Sequence, residues 1–398
     1  MNILVIDSHA FAQDDVIVIF REMGHNVLLY GHSDISMHHN DVVYGELSKN
    51  ILENDIDIVF SFNYYPIVSY VLKDTGVKYI SYVYDSPHIA VYTYSITFPC
   101  NYVFLFDYAV YKELRNGGIT TVYYLPLSVN CTRLNKTIAD ANAVAVTNGG
   151  AENFLDVSFV GGLYNEKHKL YDRLYDKLGD SNNYVRGYMD ALVQAQSRIC
   201  GGFFLDKVLN DKILEILDSV YPYEANDDSI ATEAYVYSHY FMARKVTEVE
   251  RIRLLNKVSE IYNLSLFTYQ ETKELPNARN MGTVDYYKDM PIVFNRSKIN
   301  LNISLKSILT GIPLRCIDIM GCGGFLLTNY QEDMFRHFEA GKHFDYYVDE
   351  NDLLRKIEYY LDHEDERMCI AEAGKKMVEM NHNLRDYLYD MISFVAEN

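Results

Sequence analysis

The chain has no tryptophan, no CxxC pair and no GxGxxG fingerprint. No apolar run approaches the roughly 20 residues that a membrane helix needs. The last absence excludes an integral membrane segment. An apolar strand starts at Asn2 with no basic flank or cleavage site, so no signal peptide is expected and the chain reads as cytoplasmic. The six cysteines, Cys100, Cys131, Cys200, Cys316, Cys322 and Cys369, are scattered without metal-ligand spacing, several of them in apolar contexts. They read as reduced, buried thiols. In such a chain the sequons at Asn130 and Asn302 carry no glycan. Positive charge is also scarce. Lys and Arg number 36 against 55 Asp and Glu, a formal net charge of -19, which argues against a nucleic-acid partner and against a general pull to anionic lipid. Tyrosine is abundant instead, with 36 residues. A tyrosine-rich surface suits sugar contacts, but buried or half-buried tyrosines at the edges of elements are the simpler explanation.

At 398 residues, 49% hydrophobic and 23% charged, the chain is globular and long enough for two or three domains. In the first half short apolar runs alternate with helical patterns. Strands are expected at Asn2–Asp7, His25–Tyr30, Asp57–Phe62, Lys78–Tyr84, Tyr102–Phe106 and Thr121–Leu125. Helices are expected at Asp14–Met23, capped by Asp14 and closed by Gly24, then around Asp41–Glu53, Ile67–Asp74 and Tyr108–Asn116. That alternation implies an α/β domain with a parallel sheet covered on both faces, a Rossmann-like domain over residues 1–128. Ligands of such sheets sit beyond the carboxyl ends of the strands, here at Asp7-Ser8-His9, Ser61-Phe62-Asn63 and Asp85-Ser86-Pro87-His88. Without GxGxxG in the first βα loop, a nicotinamide enzyme is disfavoured. Asp55 and Asp57 mimic a DxD metal motif, but they enter an apolar strand and read as a solvated strand edge. Asp85 and His88 have the chemistry of an acid–base pair, and also that of an ordinary Asp-Pro turn.

Residues 129–155, rich in Asn, Thr, Ala and Gly, read as a linker. A second Rossmann-like domain follows over 156–382, opening with strand Val157–Val160, the glycine pair Gly161-Gly162 and helix Glu166–Lys177. Exposed N–H groups at that turn suit a phosphate, with Lys167 in reach. Residues of about 180–262 carry apolar side chains at helical spacing over Arg186–Arg198, Leu205–Val220 and Ile230–Ile261, a helical insertion. A strand at Asn263–Thr268 comes next. After residue 328 the pattern predicts helix Gln331–Phe338, strand Phe344–Val348 and helices Glu350–Asp362 and Glu364–Met380. A last helix, within 383–398, is expected to return to the first domain.

The stretch Leu301–Thr328 organises this half. Strand Ile299–Ile303 leads through a polar loop carrying Ser304 and Lys306 to a helix expected to begin at Gly311-Ile312-Pro313. Arg315 in its first turn opposes the helix dipole, a placement that a bound anion would favour. Asp318 shares its face. Gly321-Cys322-Gly323-Gly324 ends the helix before strand Phe325–Thr328. A helix N-terminus with an Arg and an Asp can hold a diphosphate and a ribose. A capped helix with a surface Arg–Asp pair accounts for the same spacing.

Taken in order, several stretches resemble the CgeB-type (spore-maturation) glycosyltransferases of bacteria. They are Tyr82–His88, Val103–Asp107, Tyr124–Leu127, Met290–Phe294, Leu301–Ser304, Gly311–Asp318 and Cys322–Tyr330. The resemblance spans most of the chain outside the helical insertion. It implies the GT-B architecture, two Rossmann-like domains facing a cleft, and a metal-independent transferase. Such an enzyme moves a sugar from a nucleotide-diphosphate sugar to an acceptor, a protein or a glycan. By the resemblance Asp318 matches the acidic position that binds ribose hydroxyls. Arg315, Gly311 and Ile312 match the diphosphate site, and Gly161 and Gly162 the glycine turn, with Lys167, Ser304, Lys306, Gly323 and Gly324 around the donor. Asp85, with His88, faces the acceptor. Related retaining enzymes carry a second Glu two helical turns before the first. Here that neighbourhood holds Ser307, Leu309 and Thr310 and no carboxylate, which leaves a retaining mechanism open to question and favours the alternative of a non-catalytic nucleotide-sugar-binding or coat-associated protein; a nucleotide-sugar epimerase of the same fold is a third alternative.

Overall fold

Near-continuous apolar strands suit a parallel sheet buried on both faces. In the computed structural model, which describes residues 1–147, 154–166 and 169–397, they build two such sheets. The chain divides into two units. One comprises Met1–Asn130, Glu224–Ala231 and His382–Asn398, the other Cys131–Tyr223 and Thr232–Asn381.

In the first unit, β1 (Asn2–Ile6), β2 (Asn26–Tyr30), β3 (Ile58–Phe62), β4 (Lys78–Val83), β5 (Asn101–Leu105) and β6 (Val122–Tyr124) form a parallel sheet in the order β2-β1-β3-β4-β5-β6. Leu4 pairs with Leu28 on one side and Val59 on the other, and every residue of β3 and β5 is buried. The first helix runs Gln13–Glu22, and Asp14 does not cap it. The preceding Ala12 takes a left-handed conformation (φ 65°), while Gln13 folds back to close the loop after β1. Its amide donates to Asp7 at 2.7 Å and accepts from Ser8 N at 3.0 Å. Asp55 and Asp57 sit at the amino edge of β3. There Asp57 accepts from the backbone N–H of Asn2 at 2.7 Å, a strand-edge contact. Helix Leu384–Glu397 belongs to this unit and buries Leu384, Leu388, Met391 and Val395 along one stripe.

Two expectations are corrected here. Residues 131–147 are not linker. They form helix Cys131–Thr147, with Cys131, Leu134 and Ile138 buried at helical spacing. Its alanines, read as loop composition, are the best helix formers. The stretch Asn148-Gly149-Gly150 lies outside the described residues. Ile230 is not helical either. Its N–H donates to the carbonyl of Tyr92 at 2.8 Å, and Ser229 bridges to Thr93, so Glu224–Ala231 is an extended strap of the first unit.

In the second unit, β7 (Leu155–Val160), β8 (Leu264–Phe267), β9 (Arg279–Asn280), β10 (Ser297–Asn302), β11 (Leu326–Asn329) and β12 (Asp345–Tyr347) pair in the order β12-β11-β10-β7-β8-β9, all parallel. Counted from β7, this is the doubly wound order 3-2-1-4-5-6 read from the far edge. Its direction of winding reverses between β7 and β10. Val157, Leu266, Ile299, Leu301 and Leu327 share its core with Leu254, Leu255 and Val258 of helix Ala243–Ile261. The helical tract breaks into Asn183–Gln196, Leu205–Val208, Asp211–Val220 and a π-helical turn, Val236–Met242, that runs into Ala243–Ile261. Helix Gln331–Phe338 shortens to Met334–His337, because Gln331 turns its amide to the carbonyls of Ile308 and Gly311.

Candidate functional site

Gly161 and Gly162 follow β7 at its carboxyl end, beside the point where the winding reverses. Gly161 has φ 156°, and a Cβ on Gly162 would stand 3.2 Å from the Gln270 side-chain oxygen. The N–H groups of Leu163 and Tyr164 in this turn are not open to a phosphate, contrary to the expectation. Gln270, three residues beyond β8, accepts from the N–H of Leu163 and, at 3.2 Å, from that of Tyr164. Two backbone donors on one oxygen fix which way this amide points. Its Nε2 is buried and has no hydrogen-bond partner among the described residues.

Arg251 spans the same edge. It donates to the carbonyl of Gly162, after β7, and from Nε to that of Ile303, after β10, at 3.0 Å. Its guanidinium also stacks over Phe159 at 5.3 Å and Tyr164 at 4.8 Å, and Arg244 covers Tyr164 at 4.9 Å. Burial pushes Arg251 below the usual guanidinium range. Tyr164 and Glu250 act against this shift, and the nearby charge of Arg315 adds to it.

In the loop after β10, Ser304 is buried, its N–H donating to Asn329 at 2.8 Å and its hydroxyl accepting from Asn302 at 3.1 Å. Lys306 is an internal anchor rather than an exposed phosphate ligand. Its ammonium sits 3.0 Å from Glu250 and 3.0 Å from the Ile199 carbonyl, with a side-chain exposure of 9%. Burial raises Glu250 above the usual carboxylate range, and Lys306 opposes that shift. Gly311 and Ile312 are buried at the entrance to helix Leu314–Gly321, with Pro313 as the capping residue rather than the first helical one.

Arg315 and Asp318 both turn toward the segment before β10. Arg315 lies over the Phe294 ring at 5.3 Å and donates to the Met290 sulfur, while Tyr286 donates to Asp318 at 3.4 Å. Asp318 is 2% exposed, so a ribose reaches its carboxylate only if the segments packed on it, the Tyr286 turn among them, move. Arg133 holds that turn, stacking over Tyr286 at 5.2 Å and Tyr287 at 5.0 Å. Gly323 and Gly324 are corrected. They precede β11 and so lie at the amino edge of the sheet, away from the carboxyl ends. A Cβ on Gly324 would meet the Phe294 carbonyl at 2.6 Å, which makes it a packing glycine. Lys167 lies outside the described residues.

Asp85 and His88 follow β4 at the carboxyl edge of the first unit's sheet. Asn63, left-handed at φ 62°, organises that corner. Its amide donates to the exposed Asp85 carboxylate at 2.8 Å and accepts from the N–H groups of Tyr84 and Asp85. The Nε2 of His88 contacts the backbone N and O of Tyr64 at 3.0 and 2.9 Å. Burial lowers its pKa, and the Tyr64 bond and the Asp85 charge oppose that shift. His88 is therefore occupied as a structural neighbour of Asp85, and Asp85 is the one of the two in the open.

Sequence reasoning missed Arg251, Gln270, Glu250 and Tyr286. A signal was present for two of them. Glu250 and Arg251 stand in the buried stripe of helix Ala243–Ile261 with Thr247, Leu254, Leu255 and Val258. Charges at core positions of an amphipathic pattern mark a satisfied ion pair or a site. Gln270 lies in an irregular loop, where no periodicity exposes it.

Residues 244–393 match a family model described as glycosyl transferase-like. No match was found among curated protein sequences. Among solved structures the chain is similar in fold to HepE of Anabaena, solved in complex with UDP and glucose. The identity is 10%, all of both chains is covered, and the TM-score is 0.54. Sucrose-phosphate synthase of Thermosynechococcus elongatus is similar at 10% identity, covering 100% of this chain and 98% of its own, with a TM-score of 0.54. A glycosyltransferase of Rickettsia africae matches at 12% identity, 100% and 98% coverage and a TM-score of 0.51. Two parallel six-stranded sheets with flanking helices are the fold of the GT-B glycosyltransferases, and this chain has that fold.

Proposed function

We propose that the protein is a metal-independent glycosyltransferase of the CgeB type. It takes its sugar from a nucleotide-diphosphate donor held at the carboxyl edge of the second unit's sheet. Gln270 carries this reading. It is a buried amide, fixed in orientation, whose N–H donors have no partner among the described residues. It stands at the edge where the sheet reverses, the edge that also carries Arg251 and the helix opening at Arg315. Like charges brought together beside unsatisfied donors are relieved by an anion, and a diphosphate supplies one. Asp318, uncovered by a shift of Tyr286, takes the ribose. The first unit takes the acceptor, a protein or a glycan, with Asp85 as the group that receives its proton.

A second reading, a nucleotide-sugar-binding protein without transfer activity, is favoured by one observation. Ser307, Leu309 and Thr310 offer no carboxylate. Asp333 contacts Thr310 at 3.3 Å but is 0% exposed and paired with Arg336 at 3.1 Å.

Thermal unfolding with UDP, GDP, dTDP, CDP and ADP, on wild type, Arg315→Ala and Asp318→Asn, tests the donor site. A ligand at about 100 times its Kd stabilises the folded state by roughly 2.7 kcal/mol. One nucleotide is expected to raise the wild-type melting temperature and to lose most of that effect in both variants. No shift with any nucleotide, or variants that respond as wild type does, overturns the assignment. Product analysis with and without acceptor then separates transfer from binding alone.

A further inference from the structure

A cavity of about 590 Å³ lies within the first unit, where the Glu224–Ala231 strap packs beside the loop after β2. Its lining includes Met37, His38, Tyr70, Asn226, Asp227 and Asp228. Asp228 is its fixed point. One carboxylate oxygen lies 3.1 Å from His38 Nδ1, the other accepts from the Tyr70 hydroxyl at 3.1 Å, and its backbone carbonyl accepts from Tyr94 N at 2.7 Å. The side chains of His38 and Asp228 nevertheless keep 17% and 15% exposure, so both are held rigid and both are reachable.

Carboxylates dominate the charge of this wall, while Ser36, His39 and the Asn226 amide can also donate. The contact to Asp228 is made through Nδ1 of His38, so Nε2 is the ring nitrogen that this carboxylate does not engage. The Asp227 and Asp228 oxygens and the Asn226 carbonyl supply acceptors. Among the described residues no Lys or Arg lines the cavity, so phosphates and nucleotides meet like charge. Nor is any group of three or more His, Cys, Asp or Glu side chains among the described residues placed to hold a metal ion. What satisfies a rigid cluster of acceptors beside the Tyr70 ring and Met37 is a molecule with several O–H donors and an apolar face. The volume falls within the range of small-molecule sites, on the order of 300–1,000 Å³.

We propose that this cavity binds a neutral, hydroxyl-rich saccharide, whose hydroxyls donate to Asp228 and hydrogen-bond with Nε2 of His38. Naming that saccharide as the acceptor rests on the glycosyltransferase reading, whereas its binding does not.

The test uses the full chain and saturation-transfer NMR followed by calorimetric titration. The probes are glucose, galactose, N-acetylglucosamine, maltose, cellobiose, lactose and chitobiose, with glucosamine and glucose 6-phosphate as charged counterparts. At least one neutral sugar is expected to bind. Asp228→Asn is expected to weaken it by about tenfold, the loss typical of one hydrogen bond to a charged group. Asp227→Asn, which leaves the Asp228 contacts in place, serves where the first variant unfolds, and is expected to act in the same direction. Nucleotide binding is expected to be unchanged in both. Absence of any neutral-sugar binding, binding confined to glucosamine or the phosphate, or affinity unchanged in both variants overturns the proposal. Sugar binding that persists while every nucleotide fails to bind sinks the donor assignment and leaves this cavity standing.

Discussion

Arg251 donates from Nε, at 3.0 Å, and from Nη2 to the carbonyl oxygen of Ile303, and from Nη1 to the carbonyl of Gly162. One guanidinium thereby ties the ends of β7 and β10, the two strands between which the sheet reverses. A buried cation is tolerated there because both carbonyl dipoles, two aromatic faces and Glu250 compensate its lost hydration.

Arg251→Met is accordingly expected to cost about 2–4 kcal/mol, since it strands the buried Ile303 carbonyl and the half-buried Gly162 carbonyl. Arg251→Lys recovers only part of this, because an ammonium lacks the planar fork that reaches both strand ends. Urea unfolding of the three proteins checks the order wild type, Lys, Met. A Met variant as stable as wild type would show that the carbonyls find other partners.

Gly324→Ala is expected to lose about 1–3 kcal/mol, the cost of overpacking against something that cannot yield. Here the obstacle is the Phe294 carbonyl, 2.6 Å from the new Cβ. Nucleotide affinity is expected to stay at the wild-type value, because Gly324 lies at the amino edge of the sheet. Gly187, inside helix Asn183–Gln196 and with nothing within 4 Å of where its Cβ would stand, is the control. Gly187→Ala is expected to stabilise by about 0.5–1 kcal/mol. Chemical denaturation and a nucleotide titration of both variants decide the matter. An affinity loss in Gly324→Ala would return that glycine to the donor site.

His239, 4% exposed between Phe203 and Tyr235, has its pKa lowered to about 4 by burial, which the Tyr235 carbonyl bond opposes. The folded state keeps the ring neutral while the unfolded chain protonates near 6.5. Stability from this group is therefore complete above about pH 6.5. It is lost as pH falls toward 4, where the deficit reaches roughly 3 kcal/mol. Unfolding free energies measured from pH 7.5 to 4.5 should fall more steeply for wild type than for His239→Gln. Parallel curves would mean that His239 takes up its proton without unfolding cost.

The helices that read cleanly were those with one uninterrupted apolar stripe, such as Asp41–Glu53 and Glu350–Asp362, both found with those bounds. The errors have local causes. At Cys131–Thr147 a short stripe of Cys131, Leu134 and Ile138 hid among Asn, Thr and Ala. At Gln331 a side chain turned to two carbonyls stopped a helix that the pattern would have extended. At the candidate site, Arg315 and Asp318 were legible because they follow a recognisable helix start. Their approach to Phe294 and Tyr286 was not legible, since it joins residues more than twenty positions apart.

Hydrophobic periodicity is a local property of the chain, so residue order alone carries the alternation of buried strands and amphipathic helices, and with it two parallel sheets. Long-range packing, by contrast, sets β9 and β12 at opposite edges of the second sheet and gives residues 224–231 to the first unit. It alone decided that Arg251, Gln270 and Ile303 meet at one edge. Those pairings are set by which buried carbonyl and which buried charge must satisfy one another, a requirement that acts across space and leaves no period in the sequence.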